Sequence, residues 1–268
     1  NAHSAAAVLE LAAAGRRKKV VHVSTSAVVD SPAYRPGEEV EPGPLRALPT
    51  GPAGYVRSKA VAEEYFRHAA GFDVPAVVVR VPSIFGDRVR FQVNEADAVW
   101  SWCRAMVATG SYPSSFDLPG NELFQALPAD AAARVLVDEL LAEDPPGCRF
   151  VNAVPAAVCG TADLVAAARG CGHPLRPEPD ARWYEEVARL DAGEIWVAGT
   201  AAGVARLVAD APAAPRRLHR FAPGGGPGVA RLLAEHAIRT PEEIAGYFRT
   251  LVAGPTARTT RQHDGEER

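Results

Sequence analysis

The spacing of apolar residues changes period along the chain, and each change marks an element. "NAHSAAAVLELAAAG" has helical spacing and stops at Gly15, a residue suited to a helix end. "KKVVHVST", residues 18–25, is an almost unbroken apolar run, as expected of a strand covered on both faces. Residues 26–53 hold six prolines and little periodicity, which predicts a long functional or mobile loop. Helical spacing returns from about Gly54 to Ala70, with Val56, Ala60, Ala62 and Tyr65 among the candidate buried positions. "VPAVVVRVPSIFG" supplies a second buried strand near 75–81, ending in a loop with Pro82 and Gly86. Strand, helix, strand with both strands buried is the βαβ unit of a parallel sheet, so the fold class is α/β.

Beyond residue 90 the pattern loosens. "NEADAVWSWCRAMVATG" predicts an amphipathic helix, "ELFQAL" a short strand, and Pro128 opens the helix "ADAAARVLVDELLAED". "CRFVNAV", from Cys148, predicts another strand. Thr161 is placed as the cap of a short helix to about Arg169, and "DARWYEEVARL" predicts a helix from about Asp180. Helices are also expected over Ala201 to Ala209 and Gly228 to Glu235. The last helix has a full start signal: Thr240 as cap, Pro241 first, and Glu243 completing a capping box. It is expected to end at Gly254, before a polar tail that reads as disordered.

Composition narrows the function classes. The 268 residues are 47% hydrophobic and 23% charged, ordinary for one large globular domain or two unequal ones. Net charge is −3 and no dense Lys/Arg tract is interleaved with aromatics, which argues against nucleic acid as partner. No apolar run approaches the ~20 residues of a membrane span, and the Ala-rich start lacks the pattern of a signal peptide. Cys103, Cys148, Cys159 and Cys171 lack disulfide-framework or zinc-ligand spacing, so reduced, packed thiols in a cytoplasmic protein are expected, and no metal. Asn1 stands first and Met106 is the only methionine, so the sequence reads as part of a longer product. Of 29 basic residues only Lys18, Lys19 and Lys59 are lysines.

That scarcity draws attention to "GPAGYVRSKAVAEEYF", where Tyr55 stands four residues before Lys59. Four residues along a helix return to the same face, so both side chains can enter one cleft. A free tyrosine, with a pKa of about 10, is a poor acid at neutral pH, and a nearby ammonium stabilises its phenolate. Such a tyrosine can protonate a carbonyl oxygen or deprotonate an alcohol. Thr25, at the end of the first strand, is the favoured hydroxyl to donate a hydrogen bond to a developing oxyanion, with Ser24 and Ser26 as alternatives. The competing readings are an incidental pair on a solvated face, and three hydroxyls that satisfy backbone groups at a strand end. Glu63 and Glu64 are expected as surface partners, with Lys59 to Glu63 at ion-pair spacing. Trp100, Trp102 and Trp183 can each be plain core aromatics.

"VVHVSTSAVVD", the Gly-Tyr55-x-x-x-Lys59 stretch and "VVVRVPSIFGD" together resemble the central motifs of extended short-chain dehydrogenase/reductases. "NEADAVWSWCRAMVATGSYP", "LPADAAARVLV" and "RWYEEV" narrow the resemblance to the thioester reductase domains that end nonribosomal peptide and polyketide assembly lines, and to those of carboxylic acid reductases. It covers residues 1 to about 253, and Asn1 resembles an Asn on the family's helix before the catalytic strand. The resemblance implies the C-terminal half of a Rossmann-like parallel sheet (1–91) with a mostly helical substrate-binding part (92–255) and a tail (256–268). Short strands are expected near 122–127 and 148–153, the second able to return to the sheet. It implies a triad of Thr25, Tyr55 and Lys59, with Tyr55 as proton donor and Lys59 also binding the nicotinamide ribose. Val81, Pro82 and Ser83 match the stretch lining the nicotinamide pocket, and Ser26, Asn94 and Trp183 are the substrate-side candidates. The implied reaction is NADPH-dependent reduction of a phosphopantetheine-bound thioester to an aldehyde or alcohol, with an acyl or peptidyl carrier protein as partner.

The sequence departs from that family in one respect. A dinucleotide fold opens with a strand, a Gly-rich turn and a helix whose N-terminus receives the pyrophosphate, and only seventeen residues precede Lys18. Binding of the whole cofactor by this chain alone is therefore not expected. "FAPGGGPGVARLLAEHA" has Val229 where a third glycine belongs, and reads as a flexible lead-in to a helix opened by Pro227. The expectation is a fragment, a chain completed by an N-terminal half or second subunit, or a shortened relative. A non-redox domain that docks a carrier protein, and a nucleotide-sugar epimerase or dehydratase, are the alternative functions.

Overall fold

The computed structural model describes residues 1–29, 31, 33–35, 38–49, 54–94, 97–118, 122–190, 219–224 and 227–252. In chain order its elements are α1 (Ala2–Ala13), β1 (Val20–Thr25), β2 (Glu39–Val40), α2 (Gly54–Arg67), β3 (Ala76–Val81), β4 (Ser83–Phe85), α3 (Ala98–Thr109), β5 (Ser111–Pro113), β6 (Glu122–Phe124), β7 (Ala126–Pro128), α4 (Ala129–Leu141), β8 (Cys148–Asn152), β9 (Cys159–Gly160), α5 (Thr161–Gly170), β10 (Arg176–Glu178), α6 (Asp180–Arg189), β11 (Arg220–Phe221), α7 (Pro227–His236) and α8 (Pro241–Val252). They fall into two compact units: the described residues of Asn1–Phe85, Glu122–Cys159 and Ala214–Arg239, and those of Gly86–Asn121, Gly160–Ala213 and Thr240–Arg268. The helix expected over 201–209 and the tail lie outside the described residues.

The first unit is built on the predicted βαβ unit. Its parallel sheet runs in the order β1-β3-β8, with Val20 opposite Ala76 and Thr25 opposite Val81, so β8 does return to the sheet. Alternation along β3 divides the core. Val77, Val79 and Val81 face one side, where they pack with Val135 of α4 and Leu233 of α7. Ala76 and Val78 face the other, against Leu9 of α1 and Ala62 and Phe66 of α2. Every residue of β3 is buried, which is why its sequence is a valine run.

All three lysines aim at backbone carbonyls. Lys18 Nζ donates to the carbonyls of Leu11, Ala14 and Arg16 at 3.1, 2.7 and 2.9 Å, closing the C-terminus of α1. Lys19 donates to the Ala142 carbonyl at 2.7 Å, just past α4. An ammonium carries three donors on one atom, which suits carbonyls that converge on a single point.

The loop after β1 is more ordered than its prolines suggest. Ser26–Val29 forms a 3-10 turn, and β2 pairs in parallel with β11. Val28, Val29, Tyr34 and Val40 are buried together with Ala60 of α2. "ELFQAL" forms two short strands, β6 and β7, with β7 paired to β4.

In the second unit α8 starts as predicted: the Thr240 N–H donates to Glu243 Oε2 at 2.9 Å, and the Glu243 N–H to Thr240 Oγ1 at 3.3 Å. Thr161 is not the cap of α5. Gly160 holds that place, with its N–H donating to Asp163, and the Thr161 hydroxyl donates to the Phe116 carbonyl. Among the described residues no helix is long and apolar enough to cross a membrane.

Candidate functional site

A crossover helix between two parallel strands must run antiparallel to them, so the first turn of α2 lies at the carboxyl ends of β1 and β3. That geometry gathers the sequence candidates of the first unit. Tyr55 and Lys59 stand on the first two turns of α2, Thr25 ends β1, and Val81 ends β3 directly beside it. Tyr55 is 58% exposed, so its ring is not part of the core. The positive end of the α2 dipole adds to any ammonium in favouring negative charge near its first turn.

Lys59 is half-buried and its Nζ donates to the Val23 carbonyl at 2.7 Å, which leaves two N–H groups for another acceptor. Burial lowers its pKa from the ordinary lysine value, and the carboxylate of Glu63 opposes that shift. Thr25 is half-buried and its Oγ1 accepts from the Ala27 N–H at 3.3 Å, so its own hydroxyl proton remains to be donated. Ser26 is half-buried at the start of the 3-10 turn.

Ser24 is withdrawn from that role. Strand alternation turns it to the α2 side, where it is buried and donates to Glu63 Oε1 at 2.5 Å. Glu63 itself is not the surface residue expected: it is 1% exposed. Arg80, 0% exposed, donates to it from Nη2 at 2.8 Å and from Nε at 3.1 Å. The i,i+4 spacing from Lys59 is real, but the stronger partner lies across the sheet. The signal that could have exposed this pair was Arg80 inside "VVVRV", because a charge on a fully buried strand requires a partner.

His22 lies one residue pair below, stacked on Phe66 with ring centroids 4.5 Å apart. Burial, then the Lys59 ammonium, lowers its pKa to about 4. A histidine that is harder to protonate in the folded chain makes stability full above its unfolded pKa of about 6.5 and progressively lost as pH falls towards 4. The full effect is about 3 kcal/mol. Urea denaturation of His22→Phe, which keeps the aromatic stack, should show a flatter decline between pH 6.5 and 4 than the parent.

The remaining candidates divide. Val81 and Pro82 are buried, and Ser83 is half-buried with its N–H bound to the Gln125 carbonyl at 3.2 Å. Asn94 and Trp183 belong to the second unit. Asn94 is exposed ahead of α3. Trp183 has no exposed surface, and its indole N–H donates to the Ser111 carbonyl at 3.0 Å, so it serves the core of that unit. Trp100 is equally buried.

The residues present fit one end of a nicotinamide dinucleotide. The Lys59 ammonium and the phenol of Tyr55, both on the α2 turns nearest the strand ends, are the kind of groups that suit a ribose and the ring beside it. Gly224, the described residue of the glycine run, is closely packed: a Cβ there would lie 2.7 Å from Pro42 Cβ and 3.0 Å from the Phe150 carbonyl oxygen and Val151 Cα. That glycine therefore serves close packing against β8.

Comparison with known proteins agrees with this architecture. Residues 1–136 match the NAD_binding_4 family, described as male sterility protein. An isonitrile lipopeptide synthase of Streptomyces coeruleorubidus is 34% identical over 134 residues, 50% of this chain and 9% of that protein. A probable polyketide synthase 29 of Dictyostelium discoideum is 26% identical over 130 residues, 48% of this chain and 4% of that protein. The chain thus spans less than a tenth of either relative. Among solved structures, the terminal R domain of the myxalamid PKS-NRPS pathway superimposes with a TM-score of 0.72 at 22% identity, over 93% of this chain and 62% of that one. The reductase domain of a nonribosomal peptide synthetase from Mycobacterium tuberculosis gives 0.70 at 19% identity, over 94% and 65%. The fold is that of the Rossmann-like reductase domains, and the chain belongs to the NAD_binding_4, male sterility protein, family.

Proposed function

We propose that this chain carries the proton-handling half of an NADPH-dependent reductase that releases a carrier-bound acyl or peptidyl thioester as an aldehyde or alcohol. The observation that carries the reading is the placement of Tyr55 and Lys59 on the first turns of α2, at the carboxyl ends of β1 and β3, within a chain of this family. The likeness to reductase domains of peptide and polyketide assembly lines supports a carrier protein as the partner that presents the substrate.

A bound nicotinamide cofactor supplies a hydride to the thioester carbonyl carbon. Thr25 donates a hydrogen bond to the oxygen as negative charge grows there. Tyr55 protonates that oxygen, and Lys59 lowers the cost of the phenolate left behind. When the tetrahedral adduct collapses, Tyr55 takes the proton back, the carbonyl re-forms as an aldehyde, and the pantetheine sulfur leaves as thiolate. Lys59 would also hold the nicotinamide ribose, and Tyr55, Val81, Pro82 and Ser83 would line the pocket for the ring. Ser26 stands on the substrate side.

The test is consumption of NADPH by the full polypeptide in which this chain occurs, with an acyl thioester loaded on a carrier protein. Aldehyde or alcohol formed in step with NADPH loss supports the reading. Carrier binding without NADPH consumption would assign the chain to docking, and turnover of a nucleotide sugar instead would assign it to epimerase-type chemistry.

A further inference from the structure

Three residues opposite one another in the sheet are polar: Ser24 on β1, Arg80 on β3 and Asn152 on β8. They form one row across all three strands, one residue before the end of β1 and of β3, on the side covered by α2. All three are buried. Ser24 and Arg80 converge on Glu63 of α2. Arg80 Nη2 also donates to the Gly43 carbonyl at 2.8 Å, and Asn152 Nδ2 donates to the carbonyls of Val40 at 2.9 Å and Ala222 at 3.2 Å. One row of side chains thus ties the sheet to the helix bearing Tyr55 and Lys59, to the loop after β1 and to the segment after β11.

Stability alone does not account for it. A buried ion pair is commonly no better than an apolar pair of the same volume. Position is a better account. Helix α2 meets the sheet through apolar side chains, Ala62 and Phe66, which pack with Ala76 and Val78. Such contacts are non-directional and specify the register of the helix less sharply than hydrogen bonds to both oxygens of one carboxylate do.

We propose that Ser24 and Arg80, locked through Glu63, are positioning residues that fix the register of α2 on the strand ends and thereby aim Lys59 and Tyr55, while Asn152 carries the row on to the carbonyls of Val40 and Ala222. Its catalytic meaning rests on the reductase reading above. The groups that act on Lys59 are the Val23 carbonyl and His22 from β1 and Glu63 from α2, with Tyr55 four residues ahead on the same helix. Glu63 opposes the effect of burial on Lys59, so displacing its carboxylate lets the lysine titrate lower.

Only three lysines are present, so lysine labelled with carbon-13 at Cε gives three assignable signals in the full polypeptide's copy of this chain, with Lys18 and Lys19 as internal references. In a longer polypeptide the label is introduced by segmental ligation. Two variants are compared with the parent: Ser24→Ala, which keeps the ion pair, and Glu63→Asp, which keeps the charge but shortens the reach. The expected result is a displaced Lys59 signal in both, with a lower titration midpoint in Glu63→Asp. In the thioester assay kcat should fall tenfold or more with KM for the thioester unchanged. If Glu63→Asp does not fold, Ser24→Ala decides. Lys59 signals that superimpose on the parent's in the folded variants would overturn the proposal, whatever the assay gives. Absence of turnover in the parent would count against the reductase reading alone, because the lysine signals are read without it.

Discussion

Tyr55→Phe is expected to lower NADPH-dependent thioester reduction by about 10²- to 10⁴-fold, the usual contribution of a positioned general acid. The substitution removes one oxygen from a ring that is 58% exposed, so the melting temperature should hardly change. KM for the thioester should stay close to the parent value, because the lost interaction is one made as the oxygen gains charge. Retention of full kcat by Tyr55→Phe would remove Tyr55 from the chemistry. It would also leave Lys59 as another of this chain's carbonyl-capping lysines, since Lys18 and Lys19 already serve that way.

The largest expected effect on stability comes from Arg80→Met. It leaves the Glu63 carboxylate buried with Ser24 as its remaining close donor, and breaking a buried pair from one side costs about 3–5 kcal/mol. The double variant Glu63→Gln/Arg80→Met replaces the pair by neutral groups of similar size. It should recover most of that loss in urea denaturation, although one link to the loop at Gly43 goes with Arg80. Equal losses in the single and double variants would mean that the cost lies in that link and not in the uncompensated charge. The double-variant cycle separates the two because the residues touch directly.

Much of the first unit was legible in the sequence because its signals are local. A short, β-branched apolar run suits a strand covered on both faces, so "AVVVRV" identified β3 without reference to anything distant. Tyr55 and Lys59 were legible for the same reason: helical spacing alone puts both on one face. The capping box at Thr240 and Glu243 is complete within four residues. Legibility failed where a side chain's partner is remote in sequence. Thr161 looked like a cap, yet Gly160 takes that place while the Thr161 hydroxyl donates to the Phe116 carbonyl, forty-five positions away. The glycines before α7 read as a flexible lead-in, but Gly224 packs tightly on Pro42 and the backbone of β8.

Sequence alone therefore determined that Tyr55 and Lys59 share a helix between two buried strands, since helix and strand periods are properties of neighbouring residues. Only tertiary structure decided what each charge is for. Glu63 stands at ion-pair spacing from Lys59, but folding brings Arg80 and Ser24 to within direct hydrogen-bonding distance of it in a buried place. There a desolvated carboxylate must take the closest available donors, and pairing across strands overrides pairing along the helix.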